Sequence, residues 1–167
     1  MSELRTNRIV PRDGLPAGAA GGIIQIAYTQ KTNDFECTST SYVDITGMSC
    51  AITPQSASNK ILVRVHMTVV DTGSPDTAAT FRLVRGSTVI GSDTGDDRNG
   101  IALYYTGSSE GMQSVNFEYL DSPATTSATT YKVTMRGDTT DEVKINYWPS
   151  NNQYRGTSSM TLMEFSV

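Results

Sequence analysis

KILVRVHMTVVD, residues Lys60 to Asp71, decides the fold class. Ile61, Val63, Val65, Met67 and Val69 fall at every second position, with Arg64, His66 and Thr68 between them. Successive side chains of a strand point to opposite faces, so this period describes a strand with one buried and one solvated face. A helix needs apolar positions three and four apart. No stretch of eleven or more residues supplies them free of Gly, Pro or a Thr cluster.

The same alternation recurs downstream. Val115, Phe117 and Tyr119 form one set, Tyr131, Val133 and Met135 a second, and Val143, Ile145 and Tyr147 a third. Weaker candidates rich in β-branched and aromatic residues are Gly22 to Thr29, Tyr42 to Ile45, Met48 to Thr53, Ala79 to Arg85, Ile101 to Tyr105 and Ser159 to Ser166. Thr46-Gly47, Thr53-Pro54, Arg85-Gly86, Asn99-Gly100, Ser122-Pro123 and Trp148-Pro149 separate them with turn chemistry. About ten short strands without crossover helices predict an antiparallel β-sandwich or barrel. In the last strand the apolar phase slips from Met160 and Leu162 to Met163 and Phe165, which predicts a β-bulge or burial on both faces. A strand buried on both sides fits the middle of an assembly.

The chain has 167 residues, one domain's worth, and 41 of them are Ser or Thr while only 18% are charged. Its surface is therefore polar but weakly charged. A net charge of −4 is the wrong sign for tracking phosphates and disfavours nucleic acid as a partner. No apolar run approaches the roughly 20 residues of a membrane-spanning helix. The first residues lack the apolar core of an export signal, which leads us to expect synthesis and assembly in a cytoplasm.

Residues 1–22 differ from the rest. Val10-Pro11, Leu15-Pro16 and the Gly-Ala series to Gly22 offer little to pack, so we read them as an extended N-terminal arm leading into a β domain over 23–167. At about 3.3 Å per residue such an arm reaches on the order of 70 Å. Leu4, Ile9, Val10 and Leu15 are its candidate anchors on a partner.

Four segments carry a resemblance: LRTNRIVPRDGLPAGAAGGIIQI (Leu4 to Ile26), TSTSYVDITGMSCAITPQSASNKILVRV (Thr38 to Val65), YLDSPATTSATTYKVTMRG (Tyr119 to Gly137) and RGTSSMTLMEFS (Arg155 to Ser166). In this order they resemble small bacteriophage virion proteins and fibre-end domains with a trimeric jelly-roll of tumour-necrosis-factor type. Asp71 to Gly111 and Asp138 to Tyr154 match only in general character. The resemblance implies a TNF-like jelly-roll, a homotrimer, other virion proteins of the capsid shell or tail as partners, and a place on the virion. It implies no catalytic residue.

The residues themselves offer little for catalysis. The single histidine, His66, sits on the polar face of its strand beside Arg64, and we read it as structural. No nucleophile elbow, zinc or P-loop motif occurs. No cofactor or resident metal is expected. Ser92 to Gly100 gathers Asp93, Asp96, Asp97 and Asn99, oxygen donors of the kind calcium takes, without EF-hand spacing, and solvated turns are the plainer reading. Cys37 and Cys50 are expected to be buried free thiols, with a single cross-strand bridge as the alternative. Tyr104, Tyr105, Trp148 and Tyr154 lie near strand ends and are candidates for surface recognition of a sugar ring, against packing in the core or between copies.

These readings converge on a non-enzymatic virion protein, a trimeric capsid decoration (cement) protein gripping the shell through its arm. The alternative is a short tail-fibre or spike tip, or an adhesin recognising host-surface glycan. Twenty-two arm residues without heptads or collagen repeats supply little shaft, which favours decoration.

Overall fold

The structure is a computed structural model and describes residues 22–71, 77–93, 95, 96, 98–107, 111–148 and 154–166, without the side chains of Asp71 and Trp148. The arm residues Leu4, Ile9, Val10 and Leu15 lie outside the described residues. The described residues form strands and no helix. In chain order these are β1 (Ile23–Lys31), β2 (Phe35–Cys37), β3 (Val43–Ile52), β4 (Lys60–Asp71), β5 (Thr77–Arg85), β6 (Thr88–Ile90) and β7 (Ala102–Thr106). Then follow β8 (Gly111–Asp121), β9 (Thr129–Gly137), β10 (Val143–Ile145), β11 (Tyr147–Trp148), β12 (Tyr154–Arg155) and β13 (Ser158–Phe165).

Two antiparallel sheets stack as a sandwich. In the first, β4 lies between β8 on one side and, on the other, β13 followed by β1. Beyond the start of β13, β10 takes over the same side of β4 and carries β2. The second sheet runs β3, β9, β5, with β6 and β7 sharing the far edge of β5. A short ribbon of β11 and β12 stands apart. Ile61, Val63, Val65, Met67, Phe117 and Leu162 from the first sheet meet Ile45, Phe81, Leu83, Tyr131, Val133 and Met135 from the second, all buried. Each such side chain contributes roughly 1.5–3 kcal/mol by leaving water. The alternation read in Lys60 to Asp71 is the inward face of this core.

Local departures from the expected strands have identifiable causes. Tyr42 to Ile45 and Met48 to Thr53 belong to one strand, β3, because Gly47 adopts φ 85° and absorbs extra residues as a bulge. Val143 to Tyr147 is broken at Asn146, whose φ of 67° turns the chain out of the sheet. Tyr147 therefore leaves the buried phase of Val143 and Ile145. Of the two readings of the last strand, the bulge is absent, since β13 alternates without one and the register shift falls on β1 between Ile23 and Gln25, while its outward phase is partly buried. Met163 and Phe165 are half-buried on its outer face.

Three polar clusters tie the sandwich together. Asn146, fully buried, donates to the Lys31 and Asn33 carbonyls at 2.8 and 3.2 Å, and its Oδ1 accepts from Ser158 Oγ at 2.6 Å. Asp121 accepts from Arg85 at 2.8 Å and from the Tyr131 hydroxyl at 2.6 Å, bridging the end of the first sheet to the second. Glu164, buried at the end of β13, accepts from Gln55 N–H at 2.7 Å, Asn59 Nδ2 at 2.6 Å and Gln25 Nε2. Buried polar groups with full sets of partners fix a single arrangement of the elements that carry them. Cys37 and Cys50 are free and buried, as read from the sequence.

Candidate assembly face

The side chains of β4 that do not face the core point outward from the first sheet. There the pairing register aligns Ile26 of β1 with Met163, Met163 with Leu62, and Leu62 with Leu120 of β8. Four apolar side chains thus form one row across four strands, about 14 Å long at the usual strand spacing. Its ends are the most open, with Ile26 60% and Leu120 52% exposed. Tyr28, 57% exposed, flanks the row, and Ile23 and Phe165 extend it toward the start of β1. A polar strand face does not need such residues.

The next two rows are polar. Arg64 Nε meets Glu118 Oε1 at 2.6 Å, a pair more than half exposed and so worth at most about 1 kcal/mol. Beyond it, His66 Nδ1 lies 2.7 Å from Asn116 Oδ1, a hydrogen bond in which the ring nitrogen is the donor because an amide oxygen only accepts. Together with Ser159, Thr161 and Met163 these residues line an open cleft of about 440 Å³. Ser159 is His66's register partner, and the histidine's recorded hydrogen bond runs instead to Asn116. The face carries apolar contact area and a self-neutralised ion pair, which suits it to being covered.

The residues singled out from the sequence scatter rather than converge. Tyr104 is a correction: it is buried, its hydroxyl donating to the Gly111 carbonyl at 3.1 Å, and a buried ring offers no face to a sugar. It sits in the inward phase of β7, and Tyr105 one residue on is necessarily outward. Tyr105 is 53% exposed beside Leu103 on the outer side of the second sheet. Tyr154 is exposed on β12, in the separate ribbon. Trp148 lies in β11, and its side chain is outside the described set. Tyr147 is covered by Arg155, whose guanidinium carbon lies 4.3 Å from the ring centre.

In the acidic loop Asp93 Oδ1 accepts from Gly95 N–H and Asp96 Oδ1 from Arg98 N–H, so each carboxylate caps its own turn. Asp97 lies outside the described residues. Among the described residues no three His, Cys, Asp or Glu gather as a metal site. The row itself escaped sequence reading, although a signal was present. Ile61-Leu62, Tyr119-Leu120 and Leu162-Met163 are adjacent apolar pairs, and in a strand one member of each must point away from the core. No family model matches the chain, and no curated protein matches it.

Proposed function

We propose that the protein is a non-enzymatic structural protein of a bacteriophage particle, a trimeric capsid decoration protein whose residues 1–22 grip the shell. The observation that carries this reading is the in-register row Ile26, Met163, Leu62 and Leu120 on the outer face of the first sheet. Contiguous exposed apolar surface on a folded domain marks an interaction site. Four strands by about seven residues give a face of about 450 Å², a little over half of one partner's share of about 800 Å² in a standard interface. The alternation of β1, β13, β4, β8 in one layer with β3, β9, β5, β7 in the other supports the jelly-roll reading.

Purified protein and a version lacking residues 1–21 are added to undecorated capsids and to host cells, with mass in solution read by light scattering. Trimers that bind capsids, and lose them on deletion, are the expected result. A monomer at micromolar concentration overturns the trimer. Cell or glycan binding that survives deletion favours the fibre-tip or adhesin reading, for which exposed Tyr105 is the structural argument.

A further inference from the structure

The loop entering β7 holds Asn99-Gly100 in a particular electrostatic setting. The Asn99 backbone carbonyl accepts from Arg82 Nε at 2.7 Å and from the Tyr42 hydroxyl at 3.0 Å. That carbonyl belongs to the same peptide unit as the Gly100 N–H. Any negative charge that develops on this nitrogen is shared with the oxygen, where a guanidinium and a hydroxyl already point. The Asn99 carboxamide and the Gly100 N–H make no hydrogen bonds among the described residues, and both residues line an open cleft that admits water. Glycine is enforced here, since a Cβ on Gly100 would collide with the Phe81 carbonyl oxygen.

We propose that Asn99 is a site of spontaneous deamidation, promoted by the hydrogen bonds that Arg82 and Tyr42 donate to its backbone carbonyl. Gly100 N–H gives its proton to solvent base, and the nitrogen forms a bond to Asn99 Cγ. Ammonia leaves after taking up a proton from solvent. Water then opens the succinimide, yielding an aspartyl or isoaspartyl linkage. Either product adds one negative charge beside Arg82 and Arg98. The isoaspartyl form also lengthens the backbone by one carbon where the loop is pinned to the second sheet. The reaction requires only water and does not depend on the assembly reading.

The full-length protein, its Tyr42→Phe and Asn99→Gln variants, and a synthetic peptide of residues 95–103 are held in mildly alkaline buffer. Mass spectrometry follows the replacement of NH2 by OH, and an isoaspartyl-specific methyltransferase reports the second product. The folded protein is expected to react at least as fast as the peptide, with the product at residue 99 and none in Asn99→Gln. Tyr42→Phe, checked for an unchanged melting temperature, is expected to slow the folded reaction roughly three- to tenfold, the worth of one ordinary hydrogen bond removed from the developing charge. A folded rate tenfold or more below the peptide's, or a Tyr42→Phe rate equal to wild type, overturns the proposal.

Discussion

Replacing Ile26 and Leu120 together by serine tests the assembly face with little confounding charge. Their exposed fractions are 60% and 52%, and full burial of such a side chain is worth about 1.5–3 kcal/mol, so covering both contributes roughly 2–3 kcal/mol per protomer. Over three protomers this becomes roughly 6–9 kcal/mol, or four to six powers of ten in the trimer's association constant. The protomer should scarcely notice, because exposed substitutions away from special features change stability by about 0.5 kcal/mol or less. Sedimentation velocity across a dilution series reads the first effect, and urea unfolding under dissociating conditions reads the second. We expect the double variant to be monomeric where wild type is assembled, with an unchanged urea midpoint for the isolated subunit. A double variant that assembles like wild type would refute the reasoning, as would a loss of assembly explained by an unfolded subunit.

Burial alone would push the Glu164 carboxyl's pKa up, but the donors Asn59, Gln25, Gln55 N–H and Ser56 N–H prevail and hold it below the ordinary glutamate value. Its stabilisation is therefore complete above the unfolded value of about 4.3 and is lost as pH falls through the lower folded value. Glu164→Gln should lower neutral-pH stability by about 1.5–3 kcal/mol and flatten the acid side of the stability profile measured by denaturant titration. Asp121→Ala leaves Arg85 without its carboxylate and should cost about 3 kcal/mol in the same assay, more than Tyr131→Phe. Asn146→Ala loses side-chain hydrogen bonds and forces alanine into the left-handed region, so it should destabilise by about 3–4 kcal/mol, with Asn146→Gly milder. A double variant with Ile26→Cys and Leu103→Cys, treated with a short bismaleimide, should yield covalent trimers on a denaturing gel. Neither single variant should, and a dimer formed by either alone would point to a two-fold contact instead.

The inward phase of the long strands was legible because burial imposes it residue by residue along the chain. Val63, Val65, Phe117, Val133 and Met135 all lie where alternation put them. What alternation cannot carry is a backbone angle. Gly47 joined two expected strands and Asn146 divided one, each through a positive φ whose effect on register is invisible to a hydrophobicity pattern. The two tyrosines of β7 show the same limit, for one step of phase sends Tyr104 into the core and Tyr105 to the surface. The outer row was harder still. Its members are separated by as many as 137 residues, from Ile26 to Met163, and only the register of three strand pairs lines them up. Buried hubs such as Glu164 and Asn146 likewise draw partners from distant segments, which a single sequence does not pair.

Apart from Tyr154 on the separate ribbon, the large apolar residues exposed among the described residues fall into two groups, and their placement constrains how copies would meet. Ile23, Ile26, Tyr28 and Leu120 lie on the outer face of the first sheet, while Leu103 and Tyr105 lie on β7 at the edge of the second. An isologous two-fold contact applies one patch to itself, so covering the first face that way leaves Leu103, 63% exposed, in water. A heterologous contact sets the edge of one copy against the face of the next and covers both groups at once. Such a contact must either close into a ring or run on as a filament, and only closure leaves no apolar end. The Arg64–Glu118 pair is compatible with either partner, since it is neutral in itself, so the choice rests on the apolar residues alone. Two non-overlapping patches on every copy are what a closed ring requires and what a two-fold dimer would waste.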